Sequence, residues 1–316
     1  MSHDETMQHR VAVLIPCKDE AITIERVVAD FRLELPDADI WVCDNGSTDE
    51  TAAIAGKAGA RVVSEERAGK GNAVRRLFAL AEADVYVLVD GDSTYDARRI
   101  RSMIDCLVSD GLDMVVGRRA TEEADQQGAY RRGHQLGNWG FAKAVSRLFG
   151  YPLQDVFSGY RVFSRQFVRS FPALSTGFEI ETELTVHALD LGLPVREIDA
   201  PYRARPEGSR SKLSTYRDGA RIFFMLVYLY EQLRPAWFFG LIGAALAAAS
   251  LILGVPVVIE FAHTGLVPRL PTAVLASALM LLAALTAGCG IILDGVGRGR
   301  KEAKRLAYLA AGRGSR

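Results

Sequence analysis

Two carboxylates, Asp90 and Asp92, follow the apolar run VYVLV at residues 85–89, with Gly91 between them. The run predicts a buried strand, so the pair lies on the turn that leaves it. Such carboxylates can face one crevice, where their hard oxygens suit Mg²⁺ or Mn²⁺ bound together with substrate phosphates. Glycine lets the backbone approach a ligand closely. Acids also follow strands as turn or capping residues, so the pair alone leaves a structural role open.

The elements that position this pair alternate from residue 11 to about 116. Short β-branched runs predict strands, and the stretches between them predict helices at about 20–35, after GSTDE, at 70–82 and at 96–109. This order predicts an α/β fold of right-handed βαβ units with a mostly parallel sheet. Ligands bind beyond the carboxyl ends of such strands. Pro16, Asp44 and Asp90 all lie where a predicted strand stops.

Two polar segments follow, at 117–140 and 201–219. The first predicts a long functional loop that leads into an amphipathic helix rather than another sheet unit. Arginine's planar fork suits phosphate oxygens, so a bound phosphate group is the expected partner of the loop arginines, with general attraction to anionic lipid headgroups as the alternative. These arginines are Arg118, Arg119, Arg131, Arg132 and Arg205.

Residues 236–259 and 270–293 contain no charged side chain. Each is longer than the roughly 20 residues that cross a hydrocarbon core, which predicts a two-helix transmembrane hairpin. The alternative, a hairpin buried inside a soluble protein, would need more surrounding protein than this chain supplies. The link between the runs holds one arginine while both outer flanks are basic, which predicts an integral protein of the cytoplasmic membrane with the α/β domain and C-terminus in the cytoplasm. Residues 214–235 predict an interfacial amphipathic helix, with a core helix as the alternative.

Composition excludes several classes of protein. Lys plus Arg and Asp plus Glu both number 38, so nothing in the net charge favours a nucleic-acid partner. The four cysteines form no CxxC pair, which indicates reduced packing residues rather than disulfides or structural zinc. Residues 1–10 are polar and are expected to be disordered, with no signal peptide. The first strand is not followed by GxGxxG, as a nicotinamide-dependent reductase would require.

Three motifs, IPCKDE at 15–20, CDNGSTDE at 43–50 and DGD at 90–92, together resemble the family 2 glycosyltransferases, whose usual forms are IPxYNE, DDGSxD and DxD. The resemblance covers residues 10–230. Further motifs are similar to the polyprenyl-phosphate sugar synthases, of which dolichyl-phosphate mannose synthase is the familiar member. They are GKGNAVR, DVFSGYRVFSR, GFEIETEL and RPEGSRSKL. Lys18 stands where the family usually has Tyr, and Asn45 where it has the second Asp.

The resemblance implies a Rossmann-like GT-A domain and a metal-dependent, inverting transfer of one sugar from a UDP- or GDP-sugar to polyprenyl phosphate, in the making of a cell-envelope glycan. It implies Mg²⁺ or Mn²⁺ on Asp90 and Asp92, which also hold the diphosphate. It assigns the nucleotide sugar to Pro16, Lys18, Glu20, Asp44 and Asp90. Apart from the resemblance, Gly91 lets the backbone approach the nucleotide, and Lys70 is a candidate positive charge at the diphosphate, with a solvated lysine as the alternative. Lys212 is a further candidate charge at the diphosphate and is grouped with the catalytic aspartates, again with a solvated lysine as the alternative. The resemblance assigns the acceptor phosphate to Arg119, Arg131 and Arg205.

The expected chemistry needs no general base, because a phosphate monoester is already ionised near neutral pH. Asp155, Glu179 and Glu181 are candidate positioning groups. Transfer to another lipid or to a glycan hydroxyl remains the alternative, although the QxxRW motif of processive polysaccharide synthases is absent from the sequence. A membrane-bound nucleotide-sugar-binding scaffold without turnover is the alternative from another class. Whether the protein forms a homo-oligomer is open.

The expected boundaries follow from these patterns. They are a disordered N-terminus at 1–10, a catalytic domain at 11–213, the amphipathic juxtamembrane helix at 214–235, the hairpin at 236–293 and a basic cytoplasmic tail at 294–316.

Overall fold

The computed structural model describes residues 9–120, 149–177, 179–203 and 227–312. The chain divides into two compact units, Met1–Asp218 with Lys304–Arg316 and Gly219–Ala303. Of the N-terminus expected to be disordered, residues 1–8 lie outside the described residues. Arg10 is ordered, because its backbone N–H donates to Asp84 Oδ2 at 3.0 Å and its carbonyl accepts from the backbone of Asp84 and Val85.

Among the described residues, seven strands form one sheet in the first unit. They are β1 (Val11–Cys17), β2 (Asp39–Asp44), β3 (Arg61–Ser64), β4 (Val85–Leu88), β5 (Met114–Ala120), β6 (Arg161–Ser164) and β7 (Val195–Pro201). Their order across the sheet is β3-β2-β1-β4-β6-β5-β7. The first four strands are parallel, as the βαβ pattern predicts, whereas β6 runs antiparallel to both β4 and β5. The sheet is therefore mixed.

The helices of this unit connect the strands along the chain. They are α1 (Ile24–Glu34), α2 (Thr51–Lys57), α3 (Lys70–Leu80), α4 (Ile100–Ser109), α5 (Arg165–Ser170) and α6 (Ile180–Leu191). The expected helix at 20–35 begins only at Ile24, after a turn in which the Glu20 carbonyl accepts from Thr23 and Ile24. The expected helix at 96–109 opens with a short 3₁₀ turn, Ala97–Arg99.

The first four residues of the segment expected as a loop from residue 117 form a strand instead. Gly117, Arg118, Arg119 and Ala120 belong to β5, where they pair in parallel register with Ile198–Pro201 of β7. The pairing partner lies about 80 residues further along the chain, so the polar local sequence did not indicate it. Residues 121–148, which hold the rest of the expected loop, lie outside the described residues.

The side chains of strand β1 are buried in the hydrophobic core on both faces of the sheet. Val13 and Ile15 pack with α1 and α4 on one face, and Ala12 and Leu14 pack with α3 and α6 on the other. A strand covered on both sides reads as a continuous apolar run, as VAVLIPC does. Full burial of each large aliphatic side chain stabilises the fold by about 1.5–3 kcal/mol, so the strand ends are held on a rigid support.

The second unit contains most of two long helices, α7 (Pro235–Thr264) and α8 (Leu270–Gly312). Both are long and apolar enough to cross a membrane, and only 17% of the most apolar window of each is buried. Their mutual contact uses small side chains seven residues apart, Gly243 and Ser250 on α7 and Ala276 and Ala283 on α8. Ser250 Oγ donates to the Ala276 carbonyl at 2.7 Å. Small residues allow this close approach while large apolar side chains point outward, as in membrane helix pairs.

The predicted spans at 236–259 and 270–293 fall inside these helices. Helix α8 does not end at residue 293, and the segment expected as a basic tail is helical as far as Gly312. The last turns of α8, from Lys304, belong to the first unit, where Tyr308 donates a hydrogen bond to Asp113 Oδ2 at 2.9 Å. Of the expected juxtamembrane helix at 214–235, residues 227–233 are described and helical.

Candidate active site

The carboxyl ends of β1, β2 and β4 meet at one edge of the sheet, because these three strands are parallel neighbours. Asp44 ends β2, and Lys18 follows β1 directly. Asp90 and Asp92 come shortly after β4. The backbone joins these ends, since Asn45 N–H donates to the Cys17 carbonyl at 2.8 Å. This edge is the candidate active site.

Asp92 is a buried carboxylate, with 3% of the residue exposed. Its Oδ1 accepts from the Thr94 hydroxyl at 2.6 Å and from the Thr94 backbone N–H at 3.2 Å. The preceding carbonyl, that of Gly91, accepts from Thr23 Oγ1 at 2.7 Å. The turn that carries the aspartates is thus fixed by side chains from two separate segments.

Asp90 lies beside a buried pair of opposite charges. Lys70 Nζ is 2.5 Å from Asp90 Oδ1 and also contacts Glu181 Oε1. Burial raises the pKa of Glu181, and the Lys70 ammonium offsets only part of that rise. Burial acts to lower the pKa of Lys70, but Asp90 and then Glu181 reverse this effect and hold it above its ordinary value. Lys70 therefore keeps its positive charge at the strand ends.

Two glycines bring backbone close to this site. A Cβ at Gly91 would lie 2.5 Å from Cys17 Sγ, and one at Gly159 would lie 2.5 Å from Asp90 Oδ2. Packing against Cys17 is thus sufficient reason for glycine at position 91, and its contact with a nucleotide stays a prediction. Gly159 belongs to the SGYR segment and closes one side of the Asp90 carboxylate.

The GKG motif allows the start of α3 to meet the segment before α6. Gly71 N–H donates to the Gly177 carbonyl at 3.1 Å, and a Cβ at Gly71 would overlap the Ser175 carbonyl oxygen. A Cβ at Gly69 would overlap the Thr176 carbonyl oxygen, and its φ of +127° also favours glycine. These close contacts bring Lys70, the first residue of α3, near Glu181 of α6.

Gly71→Ala is expected to destabilise the first unit by about 1–3 kcal/mol, because the added methyl group forces two backbone segments apart. Thermal unfolding of the purified protein measures this change. The matched control is Gly56→Ala in α2, where the new Cβ would meet only Val62 Cγ2 at an ordinary 3.8 Å. A Gly71→Ala protein as stable as the control would contradict the close packing.

The residues predicted to line the nucleotide lie along the same edge. Pro16 is buried in β1 beside Cys43 of β2, whereas Lys18 and Glu20 are partly exposed on the turn after it. Glu20 N–H donates to Thr51 Oγ1 at 2.9 Å. Asp44 Oδ1 accepts from Ser47 N–H at 3.3 Å. The structure brings the four residues to one edge, and their contact with a nucleotide stays a prediction.

Asn45 has a structural reason to differ from the usual aspartate. Its amide nitrogen donates to the carbonyls of Glu65 at 3.0 Å and Arg67 at 2.8 Å, while its Oδ1 accepts from Gly69 N–H at 2.6 Å. An aspartate would lack the two donors. Asn45 therefore ties the end of β2 to the loop that leads to Lys70.

Arg119 is held by a buried carboxylate. Its Nε and one terminal nitrogen each donate to Asp155 at 2.7 Å, in a bidentate pair, and its guanidinium lies 5.7 Å from the centre of the Tyr202 ring. Burial acts to raise the pKa of Asp155, but Arg119 more than reverses this and the pKa is lowered. Arg118 differs, pairing with Asp199 and Gln154 on the exposed side. Arg131, Arg132, Arg205 and Lys212 lie outside the described residues.

Arg161 is fully buried and was not among the site residues predicted from the sequence. Its guanidinium donates to the carbonyls of Val156 at 2.6 Å and Ser158 at 2.8 Å, and to Thr185 Oγ1 at 2.8 Å. Burial lowers its pKa, although an arginine stays protonated in proteins. Arg161 thus fixes the segment that carries Asp155 and Gly159 onto α6. The only local signal was an arginine inside the apolar run after SGY.

The donor set at the strand ends fits a hard divalent cation that arrives with a diphosphate. Asp90 and Asp92 supply hard carboxylate oxygens there, and the Lys70 ammonium is shared between Asp90 and Glu181. Within the described part of the chain, no group of three or more His, Cys, Asp or Glu side chains has a metal-holding arrangement. Mg²⁺ and Mn²⁺ sites commonly combine one or two carboxylates with phosphate oxygens, which is the arrangement available here.

Comparison with known proteins identifies the family. Residues 12–171, half of the chain, match the family model described as glycosyl transferase family 2. The chain belongs to glycosyl transferase family 2. This family 2 glycosyltransferase is 36% identical over 252 residues to glycosyltransferase AglJ of Haloferax volcanii, covering 79% of this chain and 82% of that protein.

A second relative carries an acceptor in its name. The chain is 33% identical over 228 residues to a dolichyl-phosphate hexose transferase of Haloferax volcanii, covering 71% of this chain and 96% of the relative. The fold of the glycosyltransferase is also that of glucosyl-3-phosphoglycerate synthase of Mycobacterium tuberculosis, solved with Mn²⁺ and UDP-glucose. That likeness has a TM-score of 0.56 at 23% identity and covers 72% of this chain and 79% of the other. The first unit is therefore a GT-A domain.

Proposed function

We propose that this glycosyltransferase moves one sugar from a UDP- or GDP-sugar to polyprenyl phosphate at the cytoplasmic face of the membrane. The observation that carries the acceptor is the likeness to the dolichyl-phosphate hexose transferase over 96% of that protein's length. Two helices long and apolar enough to cross a bilayer support an acceptor that resides there. The product is a polyprenyl-phosphate sugar, which serves a later transfer step in the making of a cell-envelope glycan.

The reaction is a single displacement that inverts the anomeric carbon. An oxygen of the ionised acceptor phosphate forms a bond to that carbon as its bond to the donor diphosphate breaks, and the nucleoside diphosphate leaves with the bonding electron pair. No proton has to be removed from the acceptor, so no general base is required. Asp90 and Asp92 would hold Mg²⁺ or Mn²⁺, which would supply positive charge to the leaving diphosphate.

The residues at the strand ends have different roles in binding the donor. Pro16, Lys18, Glu20 and Asp44 line the base and ribose. Lys70 and Lys212 add positive charge near the diphosphate, and Gly91 allows the backbone to approach it. Lys70 is well suited to this role, because its pKa is held above the ordinary value and it carries its charge throughout the neutral range.

The acceptor phosphate binds on the side of Arg119, together with Arg131 and Arg205. The bidentate pair with Asp155 fixes two nitrogens of Arg119 and thereby the plane of its guanidinium. A fixed plane loses less conformational entropy when it binds phosphate oxygens. Asp155 is thus the positioning residue for this arginine.

The membrane arrangement follows from charge. Residues 236–259 and 270–293 cross the cytoplasmic membrane, and the basic flanks keep the GT-A domain, at 11–213, and the C-terminus in the cytoplasm. The exposed large side chains of α7 and α8, such as Leu241, Ile252 and Leu285, face lipid. Residues 214–235 lie at the interface.

A transfer assay tests the function directly. The full-length protein in detergent is incubated with Mg²⁺ or Mn²⁺, polyprenyl phosphate and a panel of radiolabelled UDP- and GDP-sugars, and the lipid product is extracted into organic solvent. Metal-dependent label in the lipid phase from one donor is the expected result and identifies the sugar. Label on an added glycan or another lipid, or nucleotide binding with no transfer at all, would overturn the proposal.

Arg119→Ala is expected to raise the KM for polyprenyl phosphate by about tenfold or more, because a charge-assisted hydrogen bond to phosphate is worth about 1.5–3 kcal/mol. The dissociation constant for the nucleotide is expected to stay unchanged. Steady-state kinetics and nucleotide titration measure the two. Arg118→Ala, which removes the neighbouring arginine on the exposed side, is the matched control with a normal KM. Equal weakening of acceptor and nucleotide binding in Arg119→Ala would indicate a structural role.

A further inference from the structure

In the charge cluster of Lys70, Asp90 and Glu181, the lysine occupies the same aspartate that is expected to bind the metal. Lys70 Nζ contacts both carboxylates at once, and the side chains of Lys70 and Glu181 are 11% and 5% exposed. A metal ion on Asp90 would bring two positive centres, the cation and the ammonium, onto one carboxylate. Such like charges repel strongly in a poorly solvated site, so one of them must move.

Asp90 is not the group that can move. Gly159 closes one side of its carboxylate so tightly that a Cβ there would lie 2.5 Å from Oδ2. Gly159 is itself fixed, since its N–H donates to Tyr95 Oη at 3.0 Å. Lys70, by contrast, reaches the cluster on a flexible four-carbon side chain from the first turn of α3.

Glu181 offers the ammonium another position. Its Oε1 contacts Lys70, but its Oε2 is buried and has no hydrogen-bond partner among the described residues. A buried carboxylate oxygen without a partner is costly. The hydrogen bond from Gly71 N–H to the Gly177 carbonyl holds the first turn of α3, which carries Lys70, beside the segment that leads into α6 and Glu181.

We propose that Lys70 is an exchangeable internal counter-ion, which pairs with Asp90 when the metal is absent and passes to both oxygens of Glu181 when a divalent cation binds Asp90. This inference rests on the proposed metal role of Asp90. Glu181 is then a positioning residue, because it receives the ammonium and so releases Asp90. The site is charge-balanced at Asp90 before the metal arrives and after it.

A double-mutant cycle on metal affinity tests the exchange without donor or acceptor. Mn²⁺ binding to the full-length protein in detergent is measured by water-proton relaxation for the wild type, Lys70→Met, Glu181→Gln and the double variant. Lys70→Met is expected to tighten Mn²⁺ binding about tenfold, since the competing ammonium is gone. Glu181→Gln is expected to weaken it about tenfold when Lys70 is present, and by less than about twofold in the Lys70→Met background.

The dependence of the Glu181→Gln effect on the presence of Lys70 distinguishes movement of the lysine from a general electrostatic effect of the Glu181 charge. If Glu181 acted only through its negative charge, its removal would weaken Mn²⁺ binding by the same factor in both backgrounds, and that result would overturn the proposal. Lys57→Met, at an exposed site on α2, is the control for loss of one lysine charge and should leave the affinity unchanged. Mn²⁺ binding that does not respond to Asp92→Asn would also overturn the proposal.

A second measurement uses the unaltered protein and so does not depend on how the variants fold. A structure of the wild type with Mn²⁺ alone is expected to place Lys70 Nζ within about 3.2 Å of Glu181 Oε2 and beyond hydrogen-bond distance of Asp90. Metal bound while Lys70 remains on Asp90 would overturn the exchange. Both measurements omit polyprenyl phosphate, so a failed transfer assay leaves their interpretation intact.

Discussion

Asp92→Asn is expected to lower the rate of sugar transfer by about 10²–10³-fold, because it removes a metal-binding charge at the leaving diphosphate. The protein should stay folded. Asn retains an Oδ1 that can accept the two hydrogen bonds from Thr94, so the buried turn keeps its contacts. Transfer into the lipid phase, measured with the donor that the panel identifies, gives the rate, and thermal unfolding gives the stability.

The control for this variant is another buried aspartate, at the opposite end of the sheet. Asp113 precedes β5 and accepts from Ser164 Oγ at 2.6 Å and from Tyr308 Oη at 2.9 Å. Asp113→Asn is expected to cost about 1–2 kcal/mol of stability with little change in the transfer rate at a permissive temperature. Asp92→Asn with more than about a tenth of wild-type activity would remove Asp92 from the metal role.

The location of the active site could be predicted from local sequence, because neighbouring parallel strands all end at the same edge of the sheet and the motifs that follow them therefore lie close together. Each of IPCKDE, CDNGSTDE and DGD ends one apolar run, and β1, β2 and β4 then bring those ends together. The same logic failed for the second half of the sheet. Strand β6 runs antiparallel to both neighbours and so stands outside the βαβ repeat, and β7 carries charged side chains at Arg196, Glu197 and Asp199 that break its apolar pattern.

The groups that surround the predicted aspartates depend on contacts that no local pattern contains. Lys70 and Glu181 are 111 positions apart in the chain, and Arg119 and Asp155 are 36 apart with residues 121–148 between them. The sequence marked Glu181 and Asp155 as candidates for positioning, without their partners. Asn45 was noted as a departure from the family pattern, and only the fold shows that its amide donors satisfy two backbone carbonyls.

The position of the end of helix α8 could not be predicted from local sequence either. The basic residues after 293 indicated a tail, yet the segment from Lys304 is part of the first unit. Tyr308 and Asp113 meet across 195 positions, so the contact follows from the fold and not from local composition. Tyr308 contacts both Asp113 and Gln166 there, and both residues are far from it in the sequence.

Arg161→Met is expected to cost about 3 kcal/mol of stability and to lower the melting temperature by about 6–12 °C. The substitution keeps an unbranched apolar side chain in the cavity but leaves the carbonyls of Val156 and Ser158 without their buried donor. It also removes the positive charge that acts on Asp155 and Glu181. Differential scanning fluorimetry of the purified protein measures the shift.

Arg165→Met, four residues along the chain, is the matched control. Arg165 is partly exposed and pairs loosely with Asp84 at 3.7 Å, so its loss should change stability by less than about 1 kcal/mol. Two variants that melt within about 2 °C of each other would contradict the role assigned to Arg161. At a temperature where both proteins are folded, Arg161→Met should still transfer sugar more slowly, because Arg161 is one of the side chains that hold the segment of Gly159 against Asp90, together with Tyr95.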